Sequence, residues 1–365
     1  MPIPYDYQTD WSRMAKLIVH QALQTQPGER VLIHADPTYF PALTEQVRIE
    51  VNRAGAVELA AVMLHPPGLE RVRRQLRRRE DPGLRRREDE AMAGIFALAD
   101  IYLWLPTSWA YSVGQTEDIL TTWRGRSVHF HWIMDPVDAG LFRVLSEYYD
   151  RALYLDYPAL TAHQQRVIGA LRNSTVEISD SRGTNLRFEL PDAHFHVGNG
   201  DASRAFIDGY ARPGSARDRE VELPCGAVRT VDIARAEGVV ITPPEVFAGR
   251  EVGSLRLEFE QDRITRITSE YHAAWVEAVW GTETGNRDRI GEFNLGVSPA
   301  LRMIPGTRYV PYYGYGAGII RLSLGDNRES GGANRSSYHH WLFLTDATVK
   351  ANGRTIIEQG ELSLP

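Results

Sequence analysis

Apolar residues recur at helical spacing over residues 11–25, and the turn-like PGE then opens a short apolar run, RVLIHA, of strand length. The alternation continues with an amphipathic helix over residues 39–54, the strand AVELAAVML, a helix through residues 91–98 and the strand DIYLWLP. Two further strand-like runs follow, SVHFHWIMD and RALYLDY. Strands alternating with helices predict an open parallel sheet with crossover helices, an α/β domain spanning residues 1–173. Beyond that point short alternating runs (TVEISD, NLRFEL, SLRLEFE, RITRITSEY, GIIRLSL) are separated by Gly, Asn and Pro, with one helical interruption, HAAWVEAVWG. This texture predicts a largely antiparallel, β-rich α+β domain over residues 174–365.

Composition narrows the function more than the fold. A chain of 365 residues with 43% hydrophobic content supports two buried cores. Its 41 Lys+Arg against 47 Asp+Glu give a net charge of -6, which offers no global attraction to a polyanion, so no nucleic-acid partner is expected. A lone cysteine, Cys225, excludes an internal disulfide framework and a cysteine-built zinc or iron–sulfur site. The opening MPIPYDYQTDWSRMAKLIVHQ has early acids and no long apolar run, which matches neither a secretory leader nor a membrane span; a cytoplasmic protein without membrane association is expected. Residues 71–90 hold nine arginines interleaved with acids. The acids offset the local positive field, so a solvated helix–turn–helix with its turn at Asp81-Pro82-Gly83 is expected ahead of an RNA or membrane patch.

Several segments of the second half carry a resemblance. DSRGTNLRFEL looks like a GTDL strand start, and ELPCGAVRTVDIARAEGVVI is similar to a P-x-G-E-V-x-T segment followed by a Gly-rich strand. RIGEFNLGVSPAL, GAGIIRLSLGDNRESGGANRSSYHHW and NGRTIIEQGEL follow in order. Together, over roughly residues 175–362, they resemble the aminopeptidase T-like metallopeptidases. That resemblance implies a homodimer, a C-terminal active-site cleft, two divalent metals and a peptide or other small-molecule substrate.

The carry-over of metal ligands is partial. The family's first glutamate falls on Ala227, its second is kept as Glu292, its histidine ahead of the apolar-Gly run falls on Arg321, and its terminal H-x-D pair falls on His339 and Trp341. A methyl group cannot ligate a metal, an indole offers no in-plane lone pair, and a permanent guanidinium repels cations in a low-dielectric pocket. The usual dinuclear centre is therefore not expected to assemble. A buried Arg321–Glu292 ion pair is expected to occupy its volume instead.

Other chemistry stays open on the sequence. The more distant resemblance to dihydroxypyridine ring-opening dioxygenases, which use one iron, would draw on Glu292 and His339, with His340 joining only through a bulge because adjacent strand residues face opposite ways. The H-x-H pairs His194/His196 and His129/His131 are read either as metal ligands or, in preference, as exposed polar residues and satisfied structural histidines respectively. Cys225 is read as a small buried thiol, with a nucleophile served by His339 as the alternative. The run RYVPYYGYGAGI makes Tyr312, Tyr313 and Tyr315 either pocket walls or a packed contact.

Three functional readings follow. The first is a divergent aminopeptidase-like hydrolase, with Glu292 and His339 catalytic and Arg321, Trp341, His340 and the tyrosines binding a small, aromatic or carboxylate-bearing substrate. The others are a mononuclear iron dioxygenase and a noncatalytic peptide or small-molecule binding protein. A single iron or zinc on Glu292 and His339, or no cofactor at all, is compatible with them.

Overall fold

The computed structural model describes residues 9–35, 40–63, 82–105, 116–133 and 139–364. Its contacts divide into two units, Met1–Tyr154 with Gly200–Cys225, and Leu155–Asn199 with Gly226–Pro365.

The first unit is built on β1 (Arg30–Ala35), β2 (Val57–Met63), β3 (Ile101–Trp104) and β4 (Arg126–Phe130). The chain then contributes β5 (Ser174–Ser179), β6 (Asn185–Leu190) and β7 (His196–Gly198) to the second unit, and returns with β8 (Glu220–Leu223). All pairings in the order β2-β1-β3-β4-β8 are parallel. A parallel sheet is covered on both faces, which is why β1 reads as a continuous apolar run. Val31, Ile33, Leu103 and Val128 are fully buried, and Leu32 packs with Phe96, Tyr102, Leu120 and Trp123.

The amino ends of the strands are pinned by charge. Arg30 donates from Nε and Nη2 to the two carboxylate oxygens of Asp100, just ahead of β3, at 2.9 and 3.0 Å. Arg126, only 2% exposed, makes a second fork onto Glu29, ahead of β1, at 2.8 Å on both arms, and its Nη2 also donates to the Leu23 carbonyl at 3.0 Å.

Two elements differ from the sequence reading. RALYLDY is not a strand: the helix Ala139–Leu153 runs into it, because Phe142, Leu145, Tyr149, Ala152 and Leu153 continue one buried helical face. Asp156 then caps the next helix, Tyr157–Leu171, by accepting from the Ala159 N–H. Residues 64–81 of the arginine-rich stretch lie outside the described residues; Pro82, expected in a turn, instead opens the helix Pro82–Leu98, a position where its missing N–H leaves no bond unmade.

The division of the chain also sits differently from an expected boundary at residue 173. The helix Tyr157–Leu171 belongs with the strand-rich unit, where the fully buried Gln164 donates from Nε2 to the carbonyls of Gly198 and Ala227 at 2.8 and 3.0 Å. Residues 200–225, which carry β8, belong with the parallel sheet.

The second unit continues with β9 (Ala227–Thr230), β10 (Ala234–Ile241), the hairpin β11 (Glu245–Phe247) and β12 (Arg250–Val252), β13 (Leu255–Glu260) and β14 (Arg263–Ser269). After the helix Ala273–Thr282 come β15 (Ile290–Gly296), β16 (Ile320–Gly325), β17 (His339–Leu344), β18 (Thr348–Ala351), β19 (Arg354–Glu358) and β20 (Glu361–Leu362). Two antiparallel sheets result, β14-β13-β10-β6-β5-β18-β19-β20 and β17-β16-β15-β9-β7. They share a core: Phe188 of β6 meets Phe293 of β15 edge to face at 5.2 Å. No helix among the described residues is long and apolar enough to cross a membrane.

Replacing Arg126 by Met should lower the denaturant midpoint of the first unit, because Glu29 is left partly buried without its fork; about 3 kcal/mol is expected for breaking such a pair. Urea titration followed by tryptophan fluorescence measures it, and an unchanged midpoint would show that the fork contributes nothing net.

Candidate functional site

Period-two alternation gives the five-stranded sheet two unlike faces. Phe293, Leu295, Leu322, Leu324, Leu342 and Leu344 form the buried apolar face. On the other face the register aligns His196, Arg229, Asn294, Arg321 and Phe343 in one row across all five strands. Glu292, Ser323 and Trp341 form the next row.

The loop after β15 folds back over this face. Ala317 and Gly318 donate to the carbonyls of Ser298 and Gly296 at 2.9 and 3.1 Å, and Ser298 donates to the Tyr315 carbonyl at 2.9 Å. The approach is close enough that a Cβ on Gly296 would lie 2.2 Å from the Gly316 carbonyl oxygen. Within the loop Tyr312 and Tyr313 take φ of 41° and 52°, a left-handed conformation that non-glycine residues hold only when their surroundings enforce it. The result is an aromatic wall: Tyr312 contacts Tyr313 and Tyr315 at 5.2 and 5.1 Å, and Tyr313 meets Trp341 at 5.2 Å.

Arg321 lies at the centre of this arrangement and is 3% exposed. Its Nη2 donates to Glu292 Oε1, its Nη1 donates to the Tyr313 carbonyl at 3.2 Å, and its Cζ stands 5.0 Å from the Trp341 ring and 5.7 Å from the Tyr315 ring. Glu292, 7% exposed, accepts at Oε2 from the Ser330 hydroxyl at 3.1 Å. The expected carboxylate–guanidinium pair is thus present, hydrogen-bonded at both ends.

The site residues anticipated from sequence divide into two groups. Glu292, Arg321, Trp341, Tyr313 and Tyr315 are brought together, with Tyr312 behind them. His339 shares the face of Trp341, 5.5 Å ring to ring, but is exposed, and its Nδ1 donates to the Asp326 carbonyl at 3.3 Å. His340 is not part of the cluster. Strand alternation turns it to the other side, where Nε2 lies 2.6 Å from Glu245 Oε1 and the ring packs on Phe247 at 5.1 Å. A substrate-binding role for His340 beside Arg321, and a facial triad of Glu292, His339 and His340, therefore have no geometry behind them.

The two divalent metals implied by the resemblance do not fit either. Ala227 offers no donor, Trp341 lays its ring against the guanidinium, and Arg321 holds the one retained carboxylate. Among the described residues no group of three or more His, Cys, Asp or Glu side chains is placed to hold a metal ion.

Arg229 and Asn294 were missed by the sequence reading. Arg229 is buried with its Cζ 5.7 Å from the same Tyr315 ring that Arg321 touches, and Asn294 is fully buried between the two arginines in register. Their membership depends on strand register, which motif spacing alone does not carry. His196 was expected on an exposed face; it is buried in the same row, while His194 lies before β7 with its backbone N–H on Asp232 Oδ2. Cys225 is fully buried, as the small-thiol reading expects.

Elsewhere in the second unit a groove of about 390 Å³ is lined by Asp232, Asp262, Arg289, Asn327 and Asn334 among others. Its polar groups are largely engaged with the backbone. Asp262 accepts from the Ala236 N–H, and Asn327 accepts from the Asn334 N–H and donates to the Gly291 carbonyl.

In the first unit His129 and His131 meet partners that β8 supplies. His129 Nε2 lies 2.9 Å from Glu220 Oε2, and His131 Nε2 lies 3.9 Å from Glu222 Oε1. Trp104 packs on both imidazoles at 5.1 and 4.8 Å. Arg217 reaches both glutamates, and His34 Nδ1 lies 2.7 Å from the Tyr102 hydroxyl. Burial drives His34 and His131 down to about 3, with His129 adding to the effect at His34 and Glu222 opposing it at His131. Burial alone would raise Glu220, but His129 and Arg217 outweigh it and hold that carboxyl below the usual range.

No protein-family model matches the chain, and no curated protein matches it by sequence. By structure it is similar to wild-type AmpT from Thermus thermophilus, with a TM-score of 0.69 and 18% identity over 97% of this chain and 99% of that one. It is also similar to 2,5-dihydroxypyridine dioxygenase from Pseudomonas putida KT2440, with a TM-score of 0.59 and 17% identity over 97% of each chain. The mixed architecture, a parallel α/β sheet and an antiparallel sheet unit, is the fold of these proteins, in accord with the distant relation read from the motifs.

The histidine network fixes a pH dependence. Both depressed histidines are neutral when folded, so the unfolded chain binds more protons below about 6.5, and stability falls as pH drops from there toward about 3. The denaturant midpoint should therefore fall between pH 7 and pH 4, and His131→Gln should flatten that slope by up to about 1.4 kcal/mol per pH unit. An equal slope in the variant would mean that His131 titrates normally in the folded protein.

Proposed function

We propose that the polar face of the five-stranded sheet binds a small planar ligand carrying a carboxylate, and that recognition rather than hydrolysis is its main work. The observation that carries this reading is the charge and shape of the face. Within its strands the buried guanidinium of Arg321 keeps an Nε–H with no acceptor among the described residues, and the rings of Tyr315 and Trp341 flank it, with Tyr313 against Trp341. An unmet guanidinium donor in a low-dielectric cleft favours an anionic acceptor, and aromatic walls favour a flat one. Glu292 and the Tyr313 carbonyl take the two Nη groups of Arg321, so the anion is drawn by the Nε edge that they leave.

The shared fold supports a second reading, an amide hydrolase with Glu292 as base and His339 as acid or base. Two features weigh against it. Glu292 already accepts from Arg321 and Ser330, one bond on each oxygen, which ties down the carboxylate a base would have to turn toward its proton. His339 stands two strands from Glu292 and is exposed at the edge of the cleft while Glu292 is buried, so the two do not share one desolvated environment.

Titration calorimetry with benzoate and its methyl ester tests the proposal. Benzoate should bind at least tenfold more tightly than the ester, and Arg321→Lys, which keeps a charge for Glu292 but not the planar fork, should reduce that preference. Equal binding of acid and ester would overturn it. Turnover of aminoacyl anilides that disappears in Glu292→Gln would instead establish the hydrolase.

A further inference from the structure

The row that holds the two arginines contains a residue with an unusual demand. Asn294 is 0% exposed, and neither Nδ2 nor Oδ1 has a hydrogen-bond partner among the described residues. A buried amide left in that state carries the full desolvation penalty of its unmade bonds, so such groups are rare unless something else completes them. The core does not explain it. Asn294 points away from the apolar face, between Phe293 and Leu295, which point into it, and lies directly opposite Arg229 on one side and Arg321 on the other. The Nε–H of Arg321 is likewise without an acceptor.

An Asn side chain offers one acceptor and two donors in a single plane. Both neighbours in register are guanidinium groups, which donate and cannot accept. They could in principle serve Oδ1 but could never serve Nδ2. What completes Asn294 must therefore present an acceptor, and the group that matches both of its unmade functions in one plane is an amide edge, a C=O beside an N–H. A carboxylate alone would satisfy Nδ2 and leave Oδ1 facing a negative charge. The aromatic walls require the edge to belong to a flat ring.

We infer that Asn294 reads the cyclic-amide edge of a planar ligand, Nδ2 donating to a ring carbonyl and Oδ1 accepting from the adjacent ring N–H, while Arg321 takes its acidic group. This rests on the ligand-binding reading above and names the class of compound: an aromatic lactam bearing an acid. Asn294 is a specificity residue, because a site built to hydrogen-bond a ring N–H discriminates strongly against the analogue that lacks it.

The test uses the full chain and three probes: 2-pyridone-4-carboxylate, its N-methyl derivative and benzoate. In the unaltered protein the pyridone should bind at least tenfold more tightly than either of the others, a comparison that needs no variant to fold. Asn294→Ala should bring all three to within about threefold of one another. If benzoate and the pyridone bind equally, and Asn294→Ala alters neither, the lactam assignment falls and the anion-binding reading stands. If no probe binds while the protein is folded, both fall together.

Discussion

The buried pair between Arg321 and Glu292 determines what the cleft can hold. Both groups have left water, and such a pair is tolerable only when its remaining donors and acceptors are met. Here they largely are: Ser330 serves the second carboxylate oxygen, the Tyr313 carbonyl takes a second arm of the guanidinium, and the rings of Trp341 and Tyr315 flank its carbon. The pair thereby links β15, β16, the tyrosine loop and the turn at Ser330. The pair also occupies one acceptor site on each Glu292 oxygen, one through Arg321 and one through Ser330.

Strand geometry decides which neighbours that pair can have. Because successive side chains face opposite ways, one residue along β17 separates a histidine at the edge of the cleft from a histidine bonded to Glu245 on the far side. The same rule places Asn294 and Arg229 in the cleft and sends Phe293 and Val228 into the core. A row of polar residues across four neighbouring strands is costly to bury, and it is held because the apolar face beneath it is packed against the second sheet.

Much of this was legible in the sequence, for identifiable reasons. The apolar runs of β1 to β4 and the change of texture after Asn173 are local signals, and so is the pairing of two opposite charges at Glu292 and Arg321 once both are assigned to one cleft. What was not legible depends on contacts between distant segments. The return of residues 200–225 to the parallel sheet has no composition signal, and without β8 the partners of His129 and His131 could not be named. The row of Arg229, Asn294 and Arg321 exists only through the register of three strands drawn from separate parts of the chain. RALYLDY misled because a short apolar run is ambiguous until the helical face that precedes it is counted.

The division of labour between the two faces explains how a fold can persist while its chemistry changes. Phe293, Leu295, Leu322 and Leu342 are packed against neighbours on every side, and a change of volume there is felt throughout the core. The opposite face is bound only by the requirement that its polar groups be satisfied and its charges matched. A guanidinium on this face meets that requirement when it is matched by a carboxylate, as Arg321 is by Glu292. Backbone similarity at 18% identity therefore reports the packed face. The other face carries Ala227, Arg229, Asn294, Arg321 and Trp341, whose side chains offer charge, hydrogen bonding and aromatic contact.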